Sequence, residues 1–93
     1  MRSIVILISG RGSNMEALLA AGIPARFAAV VSNRPDARGL AIAAGFGVQT
    51  AVVNHRDYAE RCDFDAALRG VIDRHSPDLV VLAGFMRVLG DEF

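Results

Sequence analysis

The sequence predicts an α/β fold built around a parallel sheet, and three observations support this prediction. Four apolar stretches recur along the 93 residues, with segments of helical character between them. The first stretch, residues 4–8, is an unbroken aliphatic run, which is typical of a strand covered on both faces. About half of the residues are apolar (53%) and ten basic side chains balance ten acidic ones, as expected of one compact domain.

The apolar pattern predicts strands at residues 4–8, 27–31, 48–53 and 79–82. Alternation with helices gives the order βαβαβαβ, which implies parallel strands joined by right-handed crossovers. If the first strand is central and the chain winds outward before returning, the strand order is 3-2-1-4. This Rossmann-like open parallel sheet has a switch point between strands one and four, where such sheets bind ligands beyond the carboxyl ends of their strands.

Three helices are predicted between these strands. Ser13 and Glu16 have the spacing of a capping box, and Gly22 ends the first helix. The second helix is predicted to begin at Pro35-Asp36 and to reach residue 44, and the third to run from about residue 57 to residue 74. Helices one and two would cover one face of the sheet and helix three the other, leaving strand four as an apolar edge. We therefore expect the chain to be the amino-terminal part of a larger protein.

Composition excludes several classes of protein. No apolar run reaches the ~18 to 20 residues that cross a bilayer, and the start of the chain lacks a signal-peptide cleavage site, so we expect a cytoplasmic protein without a membrane partner. A net charge of zero disfavours a nucleic-acid-binding arm. Cys62 is the single cysteine and has no partners at zinc spacing, so no metal site is predicted. All ten basic residues are Arg, which excludes lysine-dependent chemistry within this segment.

The loop that follows the first strand, residues 9–14, is the leading candidate for a binding site and is called the glycine loop below. Its two glycines allow a sharp turn, and the amides of Gly12, Ser13 and Asn14 would lie at a helix amino terminus that favours an anion. A phosphate is the expected occupant, although an ordinary capped strand-to-helix turn is an open alternative. NAD is disfavoured because Met15 replaces the small residue of the dinucleotide fingerprint, and ATP or GTP because Gly-Lys-Ser/Thr is absent.

Other loops predicted at the carboxyl edge carry weaker signals. Residues 84–89 place an apolar surface beside Arg87, which suits a flat heterocycle, but the same apolar side chains could belong to the core. Arg56 and Arg61 lie near the start of the third helix, where solvated surface charge is the alternative to ligand binding. His55 occupies a loop and has no partner at a recognisable spacing. No set of nucleophile, base and orienting group is visible.

Three segments taken together resemble the phosphoribosylglycinamide formyltransferases, the glycinamide ribonucleotide transformylases of purine biosynthesis. They are Ile-Val-Ile-Leu-Ile-Ser-Gly-Arg-Gly-Ser-Asn at residues 4–14, Val-Ser-Asn-Arg-Pro-Asp-Ala at residues 31–37, and Pro-Asp-Leu-Val-Val-Leu-Ala-Gly-Phe-Met-Arg-Val-Leu at residues 77–89. The match runs through nearly the whole chain in the same order. It implies that residues 1–93 are the amino-terminal, phosphate-binding part of a single formyltransferase domain, because such enzymes are considerably longer.

The resemblance implies an enzyme that transfers a formyl group from the co-substrate 10-formyltetrahydrofolate to the amine of glycinamide ribonucleotide, without a metal or a covalent intermediate. Gly12, Ser13 and Asn14 would then hold the phosphate of the ribonucleotide. The residues that would bind folate are Arg61, Met86, Arg87, Val88 and Leu89. Arg56 and His55 receive no role.

The catalytic Asn, His and Asp of such enzymes follow the Met-Arg-Val-Leu segment, and no residue of this chain matches them. In particular, neither His55 nor His75 matches the catalytic histidine. The 93 residues alone are therefore expected to be inactive. Two alternatives stay open: a related folate-dependent formyltransferase or formyltetrahydrofolate hydrolase, and a non-catalytic phosphate-binding module. The glycine loop indicates a phosphorylated small substrate, which argues against the related folate-dependent formyltransferase or hydrolase.

Overall fold

The computed structural model describes residues 2–83, which form a parallel sheet with helices on both faces. In chain order the elements are β1 (Arg2–Ile8), α1 (Ser13–Ala20), β2 (Ala25–Ser32), α2 (Arg38–Gly45), β3 (Thr50–Val52), a 3₁₀ turn (His55–Asp57), α3 (Arg61–Asp73) and β4 (Leu79–Leu82). The strands lie in the order β3-β2-β1-β4 and each neighbouring pair is parallel. This arrangement confirms the predicted α/β class and the 3-2-1-4 order.

The aliphatic run of β1 forms the centre of two hydrophobic clusters. Because side chains alternate along a strand, successive residues of β1 face opposite sides of the sheet. One cluster combines Ile4, Ile6 and Ile8 with Met15 of α1 and Ala43 of α2. The other combines Val5 and Leu7 with Phe64, Leu68 and Ile72 of α3. The predicted division, with two helices on one face and one on the other, is therefore confirmed.

The edge formed by β4 is apolar and open to solvent in the described part of the chain. Leu79 and Leu82 have exposed fractions of 52% and 55%. Among residues 2–83, β4 pairs only with β1, from Ile4 opposite Leu79 to Leu7 opposite Leu82. The expectation of an exposed apolar edge is confirmed there.

Two helices begin later than the sequence predicts. Helix α2 begins at Arg38 rather than at Pro35, because a turn in which the Ala37 amide donates to the Arg34 carbonyl (3.3 Å) precedes it. Helix α3 begins at Arg61 rather than near residue 57, because Tyr58 and Glu60 have extended backbone. The third strand is also shorter than predicted and covers only Thr50–Val52.

The predicted capping box is wrong. Gly12, not Ser13, is the N-cap of α1, and no side chain makes a capping hydrogen bond there. Ser13 is instead the first helical residue, and the Glu16 amide donates to the Gly12 carbonyl at 2.7 Å. Gly12 adopts a left-handed conformation with a φ of 74°, which a glycine tolerates without steric cost.

Between residues 2 and 83, no helix has the length and apolar character that a membrane span requires.

Candidate functional site

A cavity of about 600 Å³ lies at the carboxyl edge of the sheet. Its walls come from the segments that follow all four strands. The lining residues are Ser9, Gly10, Arg11, Gly12, Ser13, Asn14, Asn33, Arg34, His55, Arg56 and Ala83. Because β1 has β2 on one side and β4 on the other, the cavity lies where the direction of winding reverses, the usual position of ligands in open α/β sheets.

The glycine loop is held in place by close contact with the start of α2. A Cβ atom on Gly12 would lie 2.7 Å from the Cα of Gly39 and 3.2 Å from the Cε of Met15. The Gly39 amide donates to the Gly10 carbonyl at 3.0 Å, so the two segments are also hydrogen-bonded. Gly12 is thus required both by its positive φ and by the space available.

Gly39 is a structural partner of the site that sequence reasoning missed. A Cβ atom there would lie 2.5 Å from the Cδ1 of Ile8 and 3.1 Å from the Cα of Gly12. The only local signal was a glycine near the start of a helix, where most residues favour helix formation more strongly. Glycine is required at position 39 because the glycine loop lies against it.

The amino terminus of α1 offers backbone donors to the cavity. The Glu16 amide makes the bond to Gly12 that begins the helix, so the amides of Ser13 and Asn14 have no acceptor within the helix. Both residues are exposed and line the cavity. Free amides and the helix dipole together favour an anionic group at this position.

Arginine side chains give the lining a positive character. Arg11, Arg34 and Arg56 line the cavity, and no carboxylate is found among its described lining residues. Arg34 forms an ion pair with Asp36 (Nη2 to Oδ2, 3.2 Å), but both side chains are about half exposed or more, which makes the pairing weak. No group of three or more His, Cys, Asp or Glu side chains that could hold a metal occurs within residues 2–83.

His55 and Asn33 join the β2 and β3 sides of the cavity. The His55 amide donates to the Asn33 carbonyl at 3.1 Å, and the His55 Nδ1 lies 2.9 Å from the same oxygen. A carbonyl oxygen only accepts, so this contact requires the tautomer with a proton on Nδ1. The Asn33 Nδ2 lies 3.5 Å from the same Nδ1 and would require the other tautomer, and the shorter contact to the carbonyl favours a protonated Nδ1. Asn33 is only 2% exposed, so the contact forms part of the cavity floor.

The site residues predicted from the sequence fall into three groups. Gly12, Ser13 and Asn14 line the cavity. Arg61 is the first residue of α3 and is exposed, and it is not among the described residues that line the cavity, whereas Arg56 is. Met86, Arg87, Val88 and Leu89 lie outside the described residues.

Comparison with known proteins identifies a consistent set of relatives. The family model described as formyl transferase matches residues 2–93. The chain is 42% identical over 95 residues to the phosphoribosylglycinamide formyltransferase of Escherichia coli K12, covering 98% of the chain and 45% of that protein. It is also 42% identical over 94 residues to the chicken trifunctional purine biosynthetic protein adenosine-3, covering 97% of the chain and 9% of that protein.

Solved structures agree with the sequence matches. The phosphoribosylglycinamide formyltransferase of Coxiella burnetii superposes with a TM-score of 0.94 at 42% identity, covering 98% of the chain and 44% of that structure. The glycinamide ribonucleotide transformylase 1 of Symbiobacterium toebii gives a TM-score of 0.90 at 41% identity, covering 97% and 44%. The chain therefore spans slightly less than half the length of these bacterial relatives and about a tenth of the trifunctional one.

Proposed function

The chain belongs to the formyl transferase family, and from that premise we propose that it takes part in formyl transfer from 10-formyltetrahydrofolate to glycinamide ribonucleotide. Relatives named for this activity at 42% identity support the proposal. The reaction would be a step of purine biosynthesis in the cytoplasm. Within it, the described residues would bind the phosphorylated substrate.

We propose that Gly12, Ser13 and Asn14 hold the phosphate of the ribonucleotide. The observation that carries this assignment is the free amino terminus of α1, which opens into a cavity lined by three arginines and by no described carboxylate. A phosphate there would accept hydrogen bonds from backbone amides. Because contacts with Gly39 already hold the loop in place, little further ordering of these amides would be needed on binding. Arg56 and Arg11 would add long-range attraction for the same anion.

The folate contacts are proposed from the resemblance. Arg61, Met86, Arg87, Val88 and Leu89 would bind 10-formyltetrahydrofolate. We infer from the same resemblance that no residue of this chain takes the part of the Asn, His and Asp that would stabilise the oxyanion and move protons as the amine attacks the formyl carbon. We therefore propose that these 93 residues contribute binding and not proton transfer.

The phosphate assignment is tested with two Gly→Ala variants, of which only one introduces a steric clash. Gly12 and Gly47 both have a positive φ, 74° and 77°, but a Cβ atom at Gly47 would meet nothing within 4 Å. Both Gly→Ala variants are expected to lose about 1 to 2 kcal/mol of stability through left-handed strain. Only Gly12→Ala should also displace the glycine loop from Gly39.

Calorimetric titration with glycinamide ribonucleotide is the measurement for this pair. We expect binding to be lost or weakened at least about tenfold in Gly12→Ala, because a displacement of the amides removes charge-assisted hydrogen bonds. Gly47→Ala should bind like the wild-type protein. Equal affinity in the two variants would contradict the assignment of the phosphate to the glycine loop.

A further inference from the structure

His55 makes two hydrogen bonds to one carbonyl oxygen at the floor of the cavity. The Asn33 oxygen accepts from the His55 amide at 3.1 Å and lies 2.9 Å from the ring Nδ1. In the tautomer with a proton on Nδ1, which the shorter contact favours, both lone pairs of this oxygen are used. The position of His55 is itself fixed, because the Asn54 side chain accepts from the Arg56 amide (3.0 Å) and closes the turn around it. These hydrogen bonds hold the His55 side chain against the Asn33 carbonyl.

Asn33 is the first residue of a segment, residues 33–39, whose last residue contacts the glycine loop. The Asn33 amide donates to the Ile8 carbonyl at 3.4 Å, at the end of β1. At the other end of this segment, the Gly39 amide donates to the Gly10 carbonyl at 3.0 Å, and Gly39 is in close contact with Gly12. Residues 33–39 are therefore held by His55 at one end and hold the glycine loop at the other.

We infer that His55 is a positioning residue for the phosphate site, acting through the Nδ1 hydrogen bond to the Asn33 carbonyl. The bond fixes residues 33–39, and these residues fix the amides of the glycine loop before the anion arrives. Less ordering is then left to occur on binding, which raises affinity. The inference rests on the proposed function, since it presumes that the glycine loop binds phosphate.

Three substitutions of His55 separate this role from direct contact with the ligand. His55→Ala removes the ring. The side-chain NH₂ of His55→Asn lies near the position of Nδ1 and can donate to the Asn33 carbonyl. The NH₂ of His55→Gln lies nearer the position of Nε2, on the far edge of the ring. The two amide variants thus replace the two ring nitrogens separately.

The experiment measures the affinity of each full-length variant for glycinamide ribonucleotide and for inorganic phosphate. His55→Ala should weaken both by the same factor, about three- to tenfold, because the lost hydrogen bond to Asn33 supports the loop that binds their common phosphate. His55→Asn should restore most of the affinity and His55→Gln should not. A fold that is merely loosened overall would not distinguish the two amides.

Several outcomes would overturn the inference. Unchanged affinity in His55→Ala does so, and rescue by His55→Gln but not by His55→Asn would indicate direct contact through Nε2 instead. A wild-type protein that binds neither compound would overturn the proposed function and this inference with it. Normal wild-type binding that is indifferent to His55 overturns the inference alone.

A measurement on the wild-type protein covers the case in which His55→Ala does not fold. The ¹⁵N spectrum of the imidazole should show Nδ1 protonated, both without ligand and with glycinamide ribonucleotide bound. An unprotonated Nδ1 in the folded protein would overturn the inference, because the bond to the Asn33 carbonyl then could not exist.

Discussion

Gly12 and Gly39 show how a single contact sets the geometry of the candidate site. The sequence predicted that Gly12 bends the chain, and the structure adds that a Cβ atom there would lie 2.7 Å from Gly39. Two backbones can approach this closely only where both residues lack side chains. The geometry of the glycine loop therefore depends on a residue that no local motif identified.

Replacement of Gly39 tests this contact through stability. A Cβ atom in Gly39→Ala would meet the Ile8 side chain at 2.5 Å, so we expect a loss of about 1 to 3 kcal/mol from overpacking. Gly70 is a matched control because it also lies in a helix, but a Cβ atom there would meet nothing within 4 Å. Gly70→Ala should gain about 0.5 to 1 kcal/mol from helix propensity.

Urea unfolding of the two variants gives the comparison directly. Opposite shifts of the midpoint support the close packing of Gly39 against Ile8 and the glycine loop. A stabilising effect of both substitutions would mean that the crowding at Gly39 is absent in solution.

Arg56 and Arg61 are expected to affect binding of glycinamide ribonucleotide differently. Arg56 lines the cavity and Arg61 does not, although the resemblance gives Arg61 a role toward folate and Arg56 none. Arg56→Ala should weaken binding of glycinamide ribonucleotide about two- to fivefold at low salt and less at high salt, as expected for a solvent-exposed charge. Arg61→Ala should leave that affinity unchanged. A larger effect of Arg61→Ala on this ligand would contradict both assignments.

At the level of helices and strands, the sequence predicted the type and order of each strand and α-helix within residues 2–83, but not all of their ends. The strands are identified by continuous apolar runs, and these patterns are local. The start of α2 was predicted three residues too early because Pro35 and Asp36 are common at helix starts, whereas here they belong to a turn closed by the Ala37 amide and the Arg34 carbonyl. The start of α3 depends likewise on the 3₁₀ turn after Asn54, which delays the helix. In this turn the His55 ring lies against the Asn33 carbonyl.

Helix α3 should be the main stabilising element on its face of the sheet. Phe64 is fully buried there and packs edge-on against Tyr58, with ring centroids 6.1 Å apart. Phe64→Ala should cost about 3 to 5 kcal/mol, whereas Phe46→Ala should cost less than about 1 kcal/mol because Phe46 is 47% exposed. Chemical denaturation measures both values. Similar losses in the two variants would contradict the assignment of Phe64 to the core of this face.

At the scale of the whole molecule, topology was more predictable than the site. A buried first strand, alternation with helices and right-handed crossovers lead to the order 3-2-1-4 without any tertiary information. The cavity, by contrast, combines segments that follow four different strands, and its His55–Asn33 contact joins residues whose spacing matches no motif. Sequence patterns therefore identified the glycine loop as a candidate site, while the residues that support it became visible only in the folded chain.

Mapping glycinamide ribonucleotide onto the backbone amides by NMR tests whether the glycine loop binds the phosphate. Addition of the ligand should shift the amide resonances of Gly12, Ser13 and Asn14 and slow their hydrogen exchange, because the phosphate would accept their hydrogen bonds. Amides at the opposite edge of the sheet, such as Gly22 and Gly47, should stay unchanged. Saturable binding that leaves residues 12–14 unperturbed would contradict the account.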